Sequence, residues 1–179
     1  LKANKKNTNT KFSVIRFGNI LFSRGSVVFK FFQQAKNKKN ITITGLSVSR
    51  FFISIKTAVA RIFESLALMN GGEIFVIMRM KAFKIIDLAR AIRFICGKKN
   101  SIQIIGLREG EKKYEKLISQ KEQLKVHPKS KKIGIIIKNK KANKKNNIEF
   151  IDSRYSDHLN VTEIKKILLK EKYLQFKSI

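Results

Sequence analysis

The sequence predicts an α/β fold, in which short β-strands alternate with amphipathic α-helices along a chain of 179 residues. Three observations indicate this class. Short runs of alternating or β-branched apolar residues are typical of strands. Apolar residues spaced three and four apart predict helices, and glycines follow the two clearest helical segments, where helices commonly end. The strands are few and short, so the pattern does not predict a self-contained doubly wound sheet.

The first part of the chain begins with a polar lead-in. Residues 1–11 are rich in Lys and Asn, which predicts a loop. Alternating apolar residues predict a strand at 12–17, and helical spacing predicts a helix over 26–36. Two further extended runs are expected at 41–44 and 51–55. This order places two strands after the first helix.

Two amphipathic helices are expected in the middle of the chain. The first covers 57–68, and the two glycines at 71–72 end it. A strand at 73–76 follows, and the second helix covers 85–96, with Gly97 as its stop. The apolar face of the first helix consists of Val59, Ile62, Phe63 and Leu66.

The last part of the chain becomes rich in lysine. A strand at 102–105 and a helix over 111–118 are expected before that change. The charge runs of 121–147 predict a solvated linker or rim. Asn160 followed by Glu163 matches a capping box, which predicts the start of a final helix.

The net charge of the chain is extreme. Forty Lys and Arg residues against 12 Asp and Glu residues give a formal charge of +28, which is typical of proteins that bind nucleic acid or another polyanion. However, 31 of the 40 basic residues are Lys, and Asn, Ile and Phe are also abundant. An A/T-biased genome produces this balance without selection for a polyanion. We favour that interpretation, and nucleic acid is not the expected partner, because net charge bears on solubility and association rather than on fold.

Cysteine use and hydropathy bear on the compartment. Cys96 is the single cysteine, so an internal disulfide is excluded. No signal-peptide pattern opens the sequence, and no apolar run is long enough to span a bilayer. These features predict a cytoplasmic chain without a membrane segment.

No catalytic constellation stands out in the sequence. Paired carboxylates, metal-ligand spacing and a nucleophile elbow are all missing from the pattern. His127 and His158 are isolated, which is typical of surface residues, and Cys96 lies on the apolar face of a helix as a small core residue. No Gly-rich dinucleotide fingerprint follows any strand. The chain is therefore not expected to catalyse a reaction by itself.

Three short loops place arginine beside glycine or serine. They contain Arg16 with Arg24, then Arg50, then Arg108. Such loops present backbone N–H groups and a guanidinium together, which suits a phosphate. Arginine is the scarce basic residue here, so codon bias explains these positions less well. The alternative, that these arginines cap helices or pair with carboxylates, is equally open.

Six motifs follow one another between residues 12 and 120. The first, at 12–28, contains Arg-Phe-Gly-Asn followed by Ser-Arg-Gly-Ser-Val-Val. The other five are Ile41-Thr-Ile-Thr44, Ser49-Arg-Phe-Phe-Ile53, Gly71-Gly-Glu-Ile-Phe-Val76, Lys84-Ile-Ile-Asp-Leu-Ala89 and Ile104-Ile-Gly-Leu-Arg-Glu-Gly-Glu-Lys112. The ordered run resembles the CapD-like polysaccharide biosynthesis proteins. These are extended short-chain dehydrogenases (SDRs) that include inverting UDP-N-acetylglucosamine 4,6-dehydratases and related 4-epimerases. Six motifs in order are more specific than any one of them.

The resemblance implies the C-terminal part of an extended SDR fold, which is NAD(P)-binding and Rossmann-like, without its N-terminal dinucleotide-binding strands. It divides the chain into a polar lead-in at 1–11, a UDP-sugar-binding part at 12–120, a Lys-rich linker or rim at 121–147, and a C-terminal extension with a terminal helix at 148–179. In the family, an N-terminal half holds NADP and carries a Tyr-x-x-x-Lys pair. Neither that pair nor a Gly-rich loop precedes the first motif here. The resemblance therefore implies a chain that is inactive alone and is completed by a separate N-terminal half or a homo-oligomer.

The resemblance also implies roles for seven residues. Asn19 would contact the UDP-sugar substrate, and Thr44 and Arg50 would line its UDP side. Arg108 would clamp the diphosphate, and Glu111 would accept a hydrogen bond from a ribose hydroxyl. The residues implied on the cofactor side are Ile20 and Arg24.

Some positions depart from the family pattern. Phe22 replaces a usual Gly, where a ring could obstruct the nicotinamide. Glu109 replaces a Pro and adds a negative charge near the diphosphate. The leading interpretation is a fragment of an NADP-dependent UDP-N-acetylglucosamine 4,6-dehydratase or UDP-sugar 4-epimerase of surface polysaccharide biosynthesis. The alternatives are a non-enzymatic polyanion-binding protein and a degenerate relic that does not fold alone.

Overall fold

Short strands and helices alternate along the chain, as the α/β prediction requires. The computed structural model describes residues 4, 9–97, 99–119, 122, 126–128, 133–136 and 151–176. The strands are β1 (Val14–Arg16), β2 (Asn19–Ile20), β3 (Ile41–Ile43), β4 (Ser49–Ile53), β5 (Ile74–Ile77), β6 (Ala82–Lys84), β7 (Ile102–Ile104), β8 (Val126–Pro128) and β9 (Ile133–Ile136). The helices are α1 (Val27–Lys36), α2 (Ile55–Leu68), α3 (Ile85–Ile95) and α4 (Val161–Phe176).

The largest sheet has four strands in the order β1-β5-β9-β8. β1 lies at one edge and pairs in parallel with β5, from Val14 opposite Ile74 to Arg16 opposite Val76. β9 pairs antiparallel with the other side of β5, and β8 completes the sheet. Every residue of β5 and β9 is buried, so these two strands form the centre of one hydrophobic core.

Two smaller sheets complete the strand pairing among the described residues. In one, β2 runs parallel to β4, and β4 runs antiparallel to β6. In the other, β3 runs parallel to β7. The strands are thus divided among small sheets, and no self-contained doubly wound sheet forms in the described part of the chain.

A second hydrophobic core lies between α1, α3, α4 and β3. Helical spacing directs Phe31 of α1 and Leu88 and Ile92 of α3 inward, where each is at most 1% exposed. Ile41 of β3 and Leu168 of α4 are equally buried from the other sides. This core fixes α1 beside β3, and those two elements form part of the candidate site.

Serine and asparagine caps set the starts of three helices. The Ser26 Oγ accepts from the Phe29 N–H at the start of α1, and Ser54 caps α2 in the same way. At α4, Asn160 and Glu163 exchange two hydrogen bonds of 2.9 Å. The predicted capping box is therefore confirmed.

Helix α2 forms as predicted, but its apolar face is exposed. The residues that it buries are Ala58, Arg61 and Ser65. In contrast, Phe63 is 65% exposed and Leu66 is 58% exposed. Large apolar side chains adjacent on one helix mark a surface that another element commonly covers.

The helix predicted over 111–118 is wrong. The backbone there bonds to other segments: Ser49 N–H donates to the Lys113 carbonyl, and Leu117 N–H donates to the Ile151 carbonyl. The Glu115 N–H donates to the Ser153 Oγ at 2.9 Å. These long-range bonds occupy the groups that a helix would pair internally, so tertiary contacts override helix propensity.

Three further differences concern element boundaries. The antiparallel strand β6 was not predicted, because only three residues separate a turn from α3. The segment predicted as linker or rim, 121–147, contains β8 and the buried strand β9. The extended run predicted at 51–55 is β4, which ends at Ile53 because Ser54 begins α2. No helix in the described part of the chain is long and apolar enough to cross a membrane.

Arg16 fastens the end of β1 to the segment that replaces the predicted helix. Its two terminal nitrogens donate to both carboxylate oxygens of Glu122, at 3.0 and 2.9 Å, and Nη1 also donates to the Leu117 carbonyl. The hydrogen bonds from Arg16 lower the pKa of Glu122 to about 2, against the opposing effect of burial. For Arg16, pairing with a carboxylate is therefore the correct alternative.

We expect Gly18→Ala to destabilise the fold by about 1–3 kcal/mol, because overpacking of a dense core costs that much. A Cβ at Gly18 would lie 2.4 Å from the Phe51 Cβ and 2.6 Å from its carbonyl carbon. Urea unfolding at neutral pH would measure the loss. Gly45→Ala is the matched control, since the one contact of its Cβ within 4 Å would be with the Val48 Cγ2, at 3.3 Å. Equal unfolding midpoints for the two variants would contradict the close approach at Gly18.

We expect Glu122→Gln to lower the free energy of unfolding at pH 7, with a coupling to Arg16→Gln of about 0.5–1 kcal/mol in a double-mutant cycle. The depressed pKa of Glu122 means that its contribution is present above the ordinary value of 4.5 and is lost as pH falls toward 2. The cycle is measured by urea unfolding at pH 7, 4 and 3. A coupling that does not shrink at pH 3 would refute the assigned ion pair.

Candidate functional site

One cleft, with a volume of about 380 Å³, brings together all seven residues that the resemblance implies. They come from distant parts of the chain, namely Asn19, Ile20, Arg24, Thr44, Arg50, Arg108 and Glu111. The structure thus places Arg50 and Arg108 against a shared space, although Arg50 lies in strand β4 and not in a loop as predicted. Their individual roles toward a ligand stay predictions.

Strands, helices and connecting loops all line the cleft. Asn19 and Ile20 form β2, which runs parallel to β4 and ends beside the loop that carries Arg24. Thr44 follows β3, and Arg50 lies in β4. The N-terminus of α1 opens onto the same space, and its first N–H groups favour an anion there.

Glu111 is the hub of the cleft. Its carboxylate accepts from the Thr44 Oγ1 at 2.9 Å, from the Arg50 Nη2 at 3.3 Å and from the Arg108 N–H at 3.2 Å. One side chain therefore joins the end of β3, strand β4 and the loop after β7. These bonds fix the orientation of a carboxylate that lines the cleft.

Arg50 is held by protein groups on several sides. Its Nη1 donates to the carbonyls of Ser49, at 2.8 Å, and Lys113, at 3.2 Å. Its Nε lies 3.8 Å from a Glu115 carboxylate oxygen, and its side chain is 14% exposed. Burial raises the pKa of Glu115, although the Phe51 N–H and Arg50 oppose the shift. The guanidinium of Arg50 is thus largely committed to the fold.

Three other cations line the cleft without a carboxylate partner among the described residues: Arg24, Lys30 and Arg108. Together with Arg50 they give four positive charges against the one negative charge of Glu111. Such an excess favours an anionic ligand. Pairing with carboxylates is therefore the outcome for Arg16 and Arg50, whereas phosphate binding by Arg24 and Arg108, which line the cleft, stays a prediction.

Sequence reasoning missed Lys30 as a lining residue. The available signal was its position four residues after Ser26, which places both on one face of α1. Lysine is so abundant in this chain that its position alone carried no information. Thr42, two residues before Thr44, was missed although strand alternation turns both side chains to one side.

Two departures from the family pattern lie outside the cleft. The Phe22 ring stacks on Phe32 with the ring centroids 5.8 Å apart, and Phe22 packs against the α1–α3 core. Its φ of 58° is the conformation in which Gly is favoured, consistent with a Gly at this position in the family pattern. The exposed Glu109 does not line the cleft either.

The isolated titratable residues form no second centre in the described part of the chain. No three His, Cys, Asp or Glu residues there could hold a metal ion. His158 bonds to the Ser153 carbonyl, and His127 is half-buried in β8. Neither is therefore the free surface residue that the sequence predicts. Cys96 packs against the core, as predicted. A Tyr-x-x-x-Lys spacing occurs at Tyr173 and Lys177, but it follows the motifs instead of preceding them.

The sequence matches the family described as "Polysaccharide biosynthesis protein" over residues 1–151. It is 39% identical to the capsular polysaccharide biosynthesis protein CapD of Staphylococcus aureus, over 70% of this chain and 21% of that protein. It is 35% identical to a UDP-glucose 4-epimerase of Rickettsia bellii, over 93% of this chain and 51% of that protein. The chain therefore spans about half the length of that epimerase, and less of CapD.

The fold agrees with these sequence relationships. The structure of Pen from Bacillus thuringiensis matches with a TM-score of 0.84 at 31% identity, covering 95% of this chain and 53% of that one. A UDP-glucuronic acid 4-epimerase of Bacillus cereus matches with a TM-score of 0.53 at 18% identity, over 63% and 38% of the two chains, which shows the fold alone. The expected fold, part of a Rossmann-like SDR, is thus confirmed. The chain belongs to the polysaccharide biosynthesis protein family, as its six ordered motifs predict.

Proposed function

We propose that this chain supplies the UDP-sugar-binding part of an NAD(P)-dependent enzyme that modifies nucleotide sugars for surface polysaccharide synthesis. The reaction would be a 4,6-dehydration of UDP-N-acetylglucosamine or a 4-epimerisation of a UDP-sugar. The observation that carries the proposal is the cleft that is lined both by Glu111, fixed by three donors, and by Arg108, which has no carboxylate partner in the described part of the chain. A fixed carboxylate next to a fork of donors suits a ribose hydroxyl beside a diphosphate.

The residues of the cleft divide into a nucleotide side and a sugar side. Glu111 would accept from the ribose, and Arg108 would clamp the diphosphate as a bidentate donor. Thr44 and Arg50 would line the UDP side by holding Glu111. Asn19 of β2, which also lines the cleft, would contact the sugar.

The cofactor would be held mainly by another segment. The nicotinamide of NADP, or of NAD as in the complex of the Bacillus cereus epimerase with NAD, would supply reversible hydride transfer. Ile20 and Arg24 at the end of β2 are the residues of this chain that would face it. The sequence has no Gly-rich fingerprint after a strand, so the pyrophosphate of a dinucleotide has no usual cradle here.

Two exposed surfaces support completion of the fold by a further α/β segment. Among the described residues β1 is an edge of the main sheet, with β5 as its strand partner, and its Val14 is 44% exposed. Helix α2 exposes apolar residues, chief among them Phe63 at 65%. An unpaired edge and an uncovered apolar helix are what the cofactor-binding half of an SDR would cover, either from a separate chain or within a longer one. The alternative is that a second copy of this chain covers these two surfaces in a homo-oligomer.

We expect the chain to bind UDP, and Arg108→Met to weaken that binding about tenfold or more, because a charge-assisted bidentate contact is lost. Isothermal titration calorimetry of the purified chain would measure the affinities. Arg90→Met is the matched control, since Arg90 pairs with Asp87 on the exposed face of α3 and does not line the cleft. Equal losses for the two variants, or preferential binding of heparin over UDP by the unmodified chain, would favour the polyanion alternative.

We expect fusion of the N-terminal half of the Rickettsia bellii relative to this chain to give NAD(P) binding and turnover of a UDP-sugar. Product analysis by mass spectrometry would distinguish the two reactions, because dehydration loses water and epimerisation conserves mass. Phe63→Glu in the fusion should lower the melting temperature if α2 is covered there. Phe94→Glu is the control, because Phe94 is 46% exposed on α3 and lies outside the proposed contact. A fusion that folds and binds NAD(P) but turns over no UDP-sugar would sink the proposed reaction.

A further inference from the structure

Resting on the proposed function, we infer that Lys30 is a diphosphate-binding residue. Lys30 supplies a positive charge to the phosphates that Arg50 does not supply, because Arg50 is paired with Glu111. The argument begins with what Arg50 can offer. Its guanidinium already donates to two backbone carbonyls and to Glu111, and a second carboxylate, Glu115, lies near its Nε. A cation so compensated contributes little net attraction to an incoming phosphate.

The position of Lys30 follows from the packing of α1 against β3. The Gln34 amide bonds twice to Thr42, with its Nε2 donating to the Thr42 Oγ1 at 2.8 Å and its Oε1 accepting from the Thr42 N–H at 3.2 Å. Only four residues separate the end of α1 from the start of β3, and the two elements are in contact, so we infer that the chain reverses between them. One turn back along α1 from Gln34 is Lys30, and two residues on from Thr42 is Thr44. One helical turn and two strand residues have nearly equal lengths, so Lys30 lies alongside Thr44.

That location puts an ammonium on the wall of the cleft nearest to the Glu111 hub. Thr44 donates to Glu111, yet Lys30 itself forms no ion pair with Glu111 or with another carboxylate of the described residues. Lys30 is half-buried and lines the cleft together with Arg108. Lys30 and Arg108, which have no carboxylate partner among the described residues, therefore both line the cleft proposed for the diphosphate. A diphosphate bears a negative charge on each phosphate, so each cation has a partner.

The same arrangement has a cost in the absence of a ligand. Lys30, Arg24 and Arg108 share one cleft without a carboxylate partner, so their mutual repulsion opposes the folded state until an anion binds. A lysine kept only for solubility would gain nothing from that position. Removal of its charge should thus leave the ligand-free fold as stable or more stable, whereas a lysine with a structural role would lower stability when replaced.

The test compares Lys30→Met, Lys30→Arg and the control Lys166→Met, in which an exposed lysine of α4 outside the cleft loses the same charge. Calorimetry with UDP and with uridine separates binding of the phosphates from binding of the nucleoside. For Lys30→Met we expect UDP affinity to fall about tenfold, the value of one charge-assisted contact, with uridine affinity unchanged. Lys30→Arg should keep affinity within about threefold of the unmodified chain, and the melting temperature of Lys30→Met without ligand should not fall.

Three results would contradict the phosphate-binding role of Lys30 or the proposed function on which it rests. UDP affinity that falls no more in Lys30→Met than in Lys166→Met overturns the role of Lys30 and leaves the proposed function standing. A loss of uridine affinity equal to that of UDP, or a lower melting temperature without ligand, shows that Lys30 shapes the fold instead of binding phosphate. If the unmodified chain binds neither UDP nor uridine, the proposed function itself fails.

Discussion

The carboxylate of Glu111 is the constraint on which the cleft depends. It accepts from Thr44, Arg50 and the Arg108 backbone, and these residues span 67 positions of the chain between Thr44 and Glu111. Without that acceptor, the buried guanidinium of Arg50 would keep its two carbonyl partners but lose its nearest counter-charge. One residue thus orders the binding surface and neutralises the cation beneath it. A site with this construction is rigid at its centre and positively charged at its walls.

The sequence predicts the parts of this site better than it predicts how they are joined. Short strands, the cap at Asn160 and seven of the residues that line the cleft follow from motif and spacing. The structure of the segment at 111–118 is not predicted by its local sequence, because its composition favours a helix. Its carboxylates instead bond to β3 and β4, and its backbone to the stretch at 151–153. Contacts separated by tens of residues decide such a segment, and a local pattern contains no information about them.

A local pattern also does not predict which face of helix α2 is buried. The sequence identifies α2 as amphipathic, and an amphipathic helix normally turns its apolar face inward. Here Ala58, Arg61 and Ser65 are inward, and Phe63 and Leu66 are outward. Periodicity reports that a face is apolar, but not whether the covering element belongs to the same stretch of chain. The position of β1 at the edge of the sheet has the same physical meaning. β1 pairs with β5 on one side, and no strand of the described residues pairs with its other side.

The excess charge of the chain also acquires a more specific meaning from the structure. A formal charge of +28 dispersed by codon bias would leave cations on exposed faces, where solvent and salt screen them. Arg24 and Arg108 are exposed in this way, but they line one concave space together with the half-buried Lys30 and the N-terminus of α1. Their fields therefore add on a ligand in the cleft. The relevant quantity is therefore the unbalanced charge of this cleft, and the remaining surface lysines contribute mainly long-range attraction that any anion shares.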